Sequence, residues 1–268
     1  MENKYSIAVL YICIGKYAFF WEEFYKSFEK NFLKESHVEY YVFTDAVKLY
    51  GEDCNTRIHK KYQENLGWPG NTLYRFKMFN SIYEELIKFD FCFFFNANII
   101  CKDKISEFEF LPIETDLLMV QHPGYYKSNK FKFPYEHNRK SKAYIPYGKG
   151  DVYVYGAING GYTKPFLEMS SDLEKNIEDD LQNGFIAKWH DESHLNCYIW
   201  KNKKYRLLNP AYAYPEGMNL PYMEKIEILD KASKIKLDKD KLFELEQKSV
   251  LKRIKRRVYK IWSRIKCQ

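Results

Sequence analysis

Apolar residues fall into blocks whose spacing changes along the chain. Ser6 to Ile14 is a continuous run rich in Ile, Val and Tyr, the pattern of a strand buried on both faces of a parallel sheet. After Gly15, residues Tyr17, Trp21, Phe24, Phe28 and Phe32 recur at helical spacing, which predicts a helix over Tyr17 to Leu33 with one aromatic face. Val38 to Thr44 reads as a second strand, and the polar stretch Asp45 to Glu64 holds a short strand around Arg57. Asn71 to Lys88 returns to helical spacing, with Leu73, Phe76, Phe79 or Ile82, and Leu86 facing inward. Phe89 to Phe95 is a central strand that runs straight into Asn96-Ala97-Asn98. Leu117 to Gln121, Val152 to Ala157 and Tyr205 to Leu208 are further strands, and Pro165 to Leu181 and Glu192 to Lys201 are helices. This alternation predicts an α/β fold with a mostly parallel central sheet flanked by helices, in one domain over residues 1–240. A ligand would bind beyond the carboxyl ends of the strands, where Asn96 and Asn98 stand.

The last block differs. Lys248 to Lys266 holds nine Lys or Arg and no Asp or Glu. Without it the chain has 34 basic against 36 acidic residues, so the +7 net charge belongs to this segment. Val250, Ile254, Val258, Ile261 and Ile265 recur at three- and four-residue steps beside Leu251 and Trp262. They predict a basic amphipathic helix over residues 245–268, suited to an anionic membrane surface. A terminal helix docked on its own domain is the alternative. Nucleic acid is disfavoured, since no nucleic-acid motif accompanies the charge.

Composition adds that 18% of the chain is aromatic, with 24 Tyr and 20 Phe. Tyrosine offers an apolar face with a polar rim, suited to sugar and base surfaces as well as to a core. The six cysteines form no C-x-x-C pair and no zinc-like spacing with histidine, which fits a reducing cytosol. Met1 to Lys4 lead directly into the first strand without a signal peptide, and no apolar run approaches the roughly 18 residues of a membrane span. These features predict a cytoplasmic protein, peripheral on the inner face of the cytoplasmic membrane.

The densest chemistry is in Trp189-His190-Asp191-Glu192-Ser193-His194-Leu195-Asn196. An acidic pair between histidines opens a helix, where the macrodipole favours carboxylates. The octet resembles the signature of glycosyltransferase family 6, the retaining α1,3-galactosyl and N-acetylgalactosaminyl transferases that include the histo-blood-group A and B enzymes. The resemblance covers Ile7 to about Leu237 and implies a nucleotide-sugar transferase fold of the GT-A type. Its animal members carry an N-terminal membrane anchor that this chain lacks, which makes it similar to the bacterial branch.

The resemblance also implies roles. Most GT-A transferases end the central strand in Asp-x-Asp, whose carboxylates hold a divalent cation on the diphosphate. Asn96-Ala97-Asn98 replaces both acids, as in bacterial family members. Amides are weak neutral ligands for Mg²⁺ or Mn²⁺, so the resemblance implies no metal and no cofactor, with Asn96, Ala97 and Asn98 contacting ribose or phosphate. Arg75 and Lys231, with Lys234 as second choice, would supply the positive charge that the uridine diphosphate leaving group needs. Ile12, Ile14 and Tyr17 match the segment that sandwiches uracil. Glu192 would be the catalytic carboxylate, as nucleophile or as stabiliser of an oxocarbenium ion, and Asp191 would bind donor hydroxyls.

Tyr155-Gly156-Ala157 stands at the triplet that separates galactose from N-acetylgalactosamine users. Gly156 and Gly124 suggest room for an acetamido group, so UDP-N-acetylgalactosamine is the expected donor and UDP-galactose the alternative. His122 and Trp189 match acceptor-lining positions, and Glu216 stands one residue after the position of an acceptor-contacting acid. The expected acceptor is a fucosylated β-galactoside glycan, lipid-linked if the basic helix holds the enzyme at a membrane. Two other classes stay open: a non-catalytic sugar-binding protein, and a membrane-surface interaction protein.

Overall fold

In the computed structural model, residues 4–235 are described. The aromatic density of the chain is explained by its central strands. β1 (Ser6–Ile12) is flanked by β2 (His37–Thr44) and β4 (Phe91–Phe95), both parallel to it, and β3 (Ile58–Tyr62) extends the parallel edge beyond β2. All five residues of β4 are buried. Three phenylalanines there fill the layer under α1 (Trp21–Asn31) through edge and stacked contacts with Phe28, Phe32 and Phe110. Each such ring contributes about 1.5–3 kcal/mol by leaving water.

Beyond β4 the direction changes. β7 (Val154–Tyr162) runs antiparallel to β4 and to β6 (Leu117–Gln121), and β8 (Tyr205–Leu208) closes the sheet parallel to β6. The strand order is β3-β2-β1-β4-β7-β6-β8. Reversal of β7 brings its first residues against the carboxyl end of β4, at the place where open α/β sheets bind ligands. Gly160 lets β7 enter between its neighbours, since a Cβ there would lie 2.2 Å from a Phe93 ring carbon.

Two expected elements take another form. The helix expected over Tyr17 to Leu33 begins as a 3-10 turn, Gly15–Phe20, before α1. The helix expected over Asn71 to Lys88 is three short pieces, α2 (Gly70–Leu73), α3 (Arg75–Asn80) and α4 (Tyr83–Leu86). It breaks at Tyr74 and Ile82, whose ψ angles are 12° and 29°. Leu73, Phe76, Phe79, Ile82 and Leu86 are nevertheless all buried; burial of the apolar side chains, not helix continuity, decided the segment. The spacing pointed to the right inward face.

The periodicity did not reveal a second sheet. β5 (Ile99–Cys101), after the Asn-Ala-Asn turn, pairs with β10 (Ile226–Ile228), which pairs with β9 (Tyr214–Pro215). Strands of two or three residues carry too few positions for alternation to register. α5 (Glu107–Phe110) follows β5, while α6 (Thr163–Gln182) and α7 (His190–Lys201) cover the sheet face opposite α1. α8 (Lys231–Ile235) ends the described residues. The basic helix expected over 245–268 lies outside them. No described helix is long and apolar enough to cross a membrane.

Candidate active site

At the carboxyl end of β4 the backbone turns through Asn96-Ala97-Asn98 and is held by Ala157, Tyr11 and Leu229. Asn96 N–H donates to Ala157 O at 2.9 Å. The buried Tyr11 hydroxyl donates to Ala97 O at 2.7 Å. Asn98 Nδ2 donates to Leu229 O at 2.6 Å, and Leu229 N–H donates back to Asn98 O at 2.8 Å. Asn98 Oδ1 accepts from Asn96 Nδ2 at 3.2 Å. Asn98, expected to contact ribose or phosphate, is engaged within the protein. Its buried amide ties the central strand to the segment that carries Lys231, leaving Asn96 as the partly accessible amide of the pair. An aspartate at 98 would oppose the Leu229 carbonyl with oxygen and could not donate.

Glu192 sits in the first turn of α7 and reaches across to β7. Tyr153 Oη donates to its Oε1 at 2.7 Å, and Gly156 N–H donates to its Oε2 at 2.8 Å. Burial of the carboxyl pushes its pKa up to about 7, against the lowering effect of those two bonds. Asn196, one turn on, fixes the helix to the strand. Its Oδ1 accepts from Val154 N–H at 2.9 Å, and its Nδ2 donates to Val154 O at 3.0 Å and to Glu192 O at 2.9 Å. Trp189 N–H donates to Ser193 Oγ at 2.9 Å and so holds the helix start, with His190 at φ 52°.

Asp191 points the other way. It is 3% exposed, and its Oδ2 lies 3.1 Å from Arg75 Nε as an ion pair without a linear hydrogen bond. Burial raises its pKa, with Arg75 opposing the shift. Arg75 is buried too; it donates from Nη1 to Gly156 O at 2.9 Å and lies 4.5 Å over the Phe94 ring. Reach to the nucleotide was expected of Arg75. In the structure its side chain is buried against Asp191 and the Gly156 carbonyl of the Tyr155-Gly156-Ala157 triplet.

Gly156 and Gly124 also serve differently from the expectation. A Cβ on Gly156 would lie 3.1 Å from Glu192 Cβ and 3.2 Å from its Oε2. A Cβ on Gly124 would lie 3.2 Å from the His122 ring, which accepts Gly124 N–H at Nδ1 at 3.0 Å. The space beside the two glycines is occupied by Glu192 and His122. His122 packs against Tyr125, Tyr153 and Tyr155, with centroids at 5.0, 5.6 and 4.8 Å. Burial lowers its pKa to about 4, so the ring is neutral at pH 7. With Nδ1 accepting, the proton is on Nε2, available as a donor. Tyr155 is pushed up to about 12 by burial and by Glu192.

The residues expected to meet the nucleotide are less enclosed. Ile14 is 4% exposed and joins the core, whereas Ile12 and Tyr17 are half-buried. Lys231 Nζ lies 5.8 Å over the Tyr17 ring. Lys234, the second choice, faces Glu216 Oε1 at 3.2 Å. Glu216 Oε2 accepts Asp230 N–H at 2.8 Å, and these two contacts hold its pKa below the usual range. Glu216, expected to bind acceptor, contacts the start of α8 in the structure. Trp189 is 46% exposed at the rim, beside His190, which meets Trp68 edge-on at 5.2 Å.

Glu192, Asp191, Arg75, Tyr155, Gly156, Ala157 and Asn96 are linked by these contacts around the cleft beyond β4, with His122 against Tyr155 and Lys231 over the Tyr17 ring. Sequence reasoning missed Tyr153, Asn196 and Leu229. Asn196 stands in the octet as the one amide between apolar neighbours of a helix, a signal that was readable. Tyr153 was one of 24 tyrosines. Among the described residues, no group of three or more His, Cys, Asp or Glu is arranged to hold a metal ion.

A mostly parallel sheet with this cleft at the end of its central strand is the fold of a nucleotide-sugar transferase of the GT-A type. Comparison with known proteins gives the family. The glycosyltransferase family 6 profile matches residues 1–239. The chain is 36% identical over 226 residues to the O-antigen biosynthesis glycosyltransferase WbnI of Escherichia coli, covering 84% of this chain and 94% of that one. It is 32% identical to the globoside alpha-1,3-N-acetylgalactosaminyltransferase 1 of Gallus gallus, over 82% of this chain and 65% of that one. With the histo-blood group ABO system transferase 1 of Rattus norvegicus it shares 30% identity, over 80% of this chain and 62% of that one. The chain belongs to glycosyltransferase family 6.

Proposed function

We propose that the protein is a retaining α1,3-glycosyltransferase that moves N-acetylgalactosamine from UDP-N-acetylgalactosamine to a fucosylated β-galactoside without a metal ion. The observation that carries this reading is the Glu192 carboxylate, held by Tyr153 Oη and Gly156 N–H at 2.7 and 2.8 Å in the cleft beyond β4. A carboxylate fixed at both oxygens presents its charge to a reacting carbon without reorganising. When the bond from the anomeric carbon to the diphosphate breaks, positive charge develops on the sugar, and Glu192 stabilises it as the carboxylate. A sugar-binding protein without catalysis has no need to hold a carboxylate there at the cost of burial.

Metal independence follows from the ligand chemistry. Asn96 and Asn98 offer no anionic oxygen, and the Asn98 amide is engaged with Leu229. Lys231 supplies the charge for the departing diphosphate at the Tyr17 end of the cleft, and Arg75 keeps Asp191 and the Gly156 carbonyl in place for the donor sugar. His122 Nε2 and Trp189 serve the acceptor. The donor choice is supported by the name of the chicken relative, an alpha-1,3-N-acetylgalactosaminyltransferase. A galactose donor is the second reading, favoured by the filled space behind Gly156 and Gly124.

The setting proposed is the cytoplasmic face of the inner membrane, with the basic segment Lys248 to Lys266 attracted to anionic lipid and the acceptor a lipid-linked glycan. A donor and acceptor screen with EDTA present tests the reading. Transfer from UDP-N-acetylgalactosamine with an α1,3-linked product supports it; better kcat/KM with UDP-galactose moves the donor to the second reading. Absence of any transfer leaves the sugar-binding class.

A further inference from the structure

Residues 124–151, the excursion between β6 and β7, carry a surface outside the residues assigned to sugar transfer. They contain seven Lys or Arg and two carboxylates. Both carboxylates are engaged. Glu136 is buried and accepts backbone N–H groups of Asn138 at 2.7 Å and Lys188 at 2.8 Å, and Asp151 pairs with Lys203 at 3.2 Å. Of the cations, Lys142 faces Asp179 at 3.4 Å. Lys127, Lys130, Lys132, Arg139, Lys140 and Lys149 are exposed and have no carboxylate partner among the described residues.

Two triplets form the tip, Lys130-Phe131-Lys132 and Tyr147-Gly148-Lys149. Phe131 and Tyr147 are 55% and 68% exposed, yet their ring centroids are 5.7 Å apart. Gly148, at φ +73°, makes this possible, since a Cβ there would lie 3.0 Å from Phe131 Cε1. Lys130 Nζ stands 5.6 Å from the Phe131 centroid. Behind the tip, Phe133, Tyr135, Ala143 and Ile145 are buried in a small core with Tyr153. A built base therefore presents two adjacent rings and three lysines to solvent. Two adjacent exposed rings beside three lysines make the tip amphipathic.

We propose that this tip docks on an anionic lipid bilayer. Its charge selects an anionic partner, and two adjacent rings select one with an apolar interior, where aromatic side chains settle at headgroup depth. Each lysine near such a surface adds attraction, and attachment through several weak contacts remains reversible. The excursion begins beside His122 and ends at Tyr153, so a docked tip holds the mouth of the cleft near the bilayer. Use of that position to reach a lipid-linked acceptor rests on the transferase reading; the docking does not.

Cosedimentation of the full chain with phosphatidylglycerol-phosphatidylcholine vesicles tests the docking. Two variants are compared with the parent, Phe131→Ser with Tyr147→Ser, and Lys130→Glu with Lys132→Glu and Lys149→Glu. Each should bind about tenfold more weakly or worse, with an unchanged thermal midpoint and unchanged transfer to a water-soluble acceptor. If the serine pair lowers the midpoint, the charge variant decides, since its side chains touch no core. Unchanged binding of the charge variant would overturn the proposal and assign attachment to the basic segment 248–266. Equal binding of the parent to phosphatidylcholine alone would also overturn it, as would loss of vesicle binding to competing RNA at equal charge.

Discussion

Asn98 and Leu229 stand 131 residues apart and are bonded twice, amide to carbonyl at 2.6 Å and N–H to carbonyl at 2.8 Å. The end of the central strand is thereby tied to the segment leading into α8. In a transferase whose strand ends in two acids, a cation bridges the strand and the diphosphate. Here the amide bridges the strand and the protein. An asparagine here offers no anionic ligand but supplies a donor to the Leu229 carbonyl, two residues before Lys231.

Asn98→Asp should therefore cost stability as well as activity. It leaves the Leu229 carbonyl unsatisfied and facing an oxygen, a penalty of about 1–3 kcal/mol, and the melting temperature should fall by roughly 2–10 °C. Differential scanning calorimetry checks this; a melting temperature equal to wild type would show that the bond pair holds nothing.

Glu192→Gln should preserve the fold and donor affinity while removing transfer. The exchange is nearly isosteric and deletes the charge alone. A variant retaining more than about a tenth of wild-type kcat, a loss under roughly 1.4 kcal/mol, would exclude Glu192 as the catalytic group.

The pH profile should report the same carboxyl. With its pKa raised to about 7, Glu192 is protonated below that value, so kcat/KM should rise with pH through about 7. Tyr153 donates to the ionised form and lowers the pKa, so Tyr153→Phe should move that limb upward by about one unit. The sign for stability is opposite to that of an ordinary carboxylate. A raised folded-state pKa means that the native form binds more protons between its ordinary value and about 7, so this group's contribution weakens as pH rises across that window. A limb that stays in place in Tyr153→Phe would assign it to another group.

Arg75→Ala and Lys231→Ala should separate in kind. Arg75 and Asp191 are both buried, and removing one partner strands the other, at a cost of about 3–5 kcal/mol in stability. Lys231→Ala should leave the melting temperature near wild type and cost on the order of 2–4 kcal/mol of transition-state stabilisation. Thermal melts paired with kcat/KM for both variants give the comparison; a stable but inactive Arg75→Ala would return Arg75 to the nucleotide.

Addition of EDTA should leave turnover nearly unchanged, because the protein offers the cation no carboxylate at 96 or 98. A strong requirement for Mn²⁺ in the initial rate would refute this and place a ligand elsewhere in the cleft.

Much of the architecture was determined by the chain itself. Continuous apolar runs gave β1, β4 and most of β6 because a strand buried on both faces has no polar position to interrupt it. The octet gave α7 with both its carboxylates in the first turn, because helix starts favour acids. What each acid does was a tertiary decision. Asp191 and Glu192 are neighbours in sequence, yet one is buried against Arg75 and the other is held by Tyr153 and Gly156, since successive helical positions point about 100° apart. The glycines looked like space from the sequence, which cannot say what fills a missing Cβ; the fold filled it with Glu192 and His122. Asn98 looked like a ligand because amides can donate, and only the approach of Leu229 from the far end of the chain determined to what.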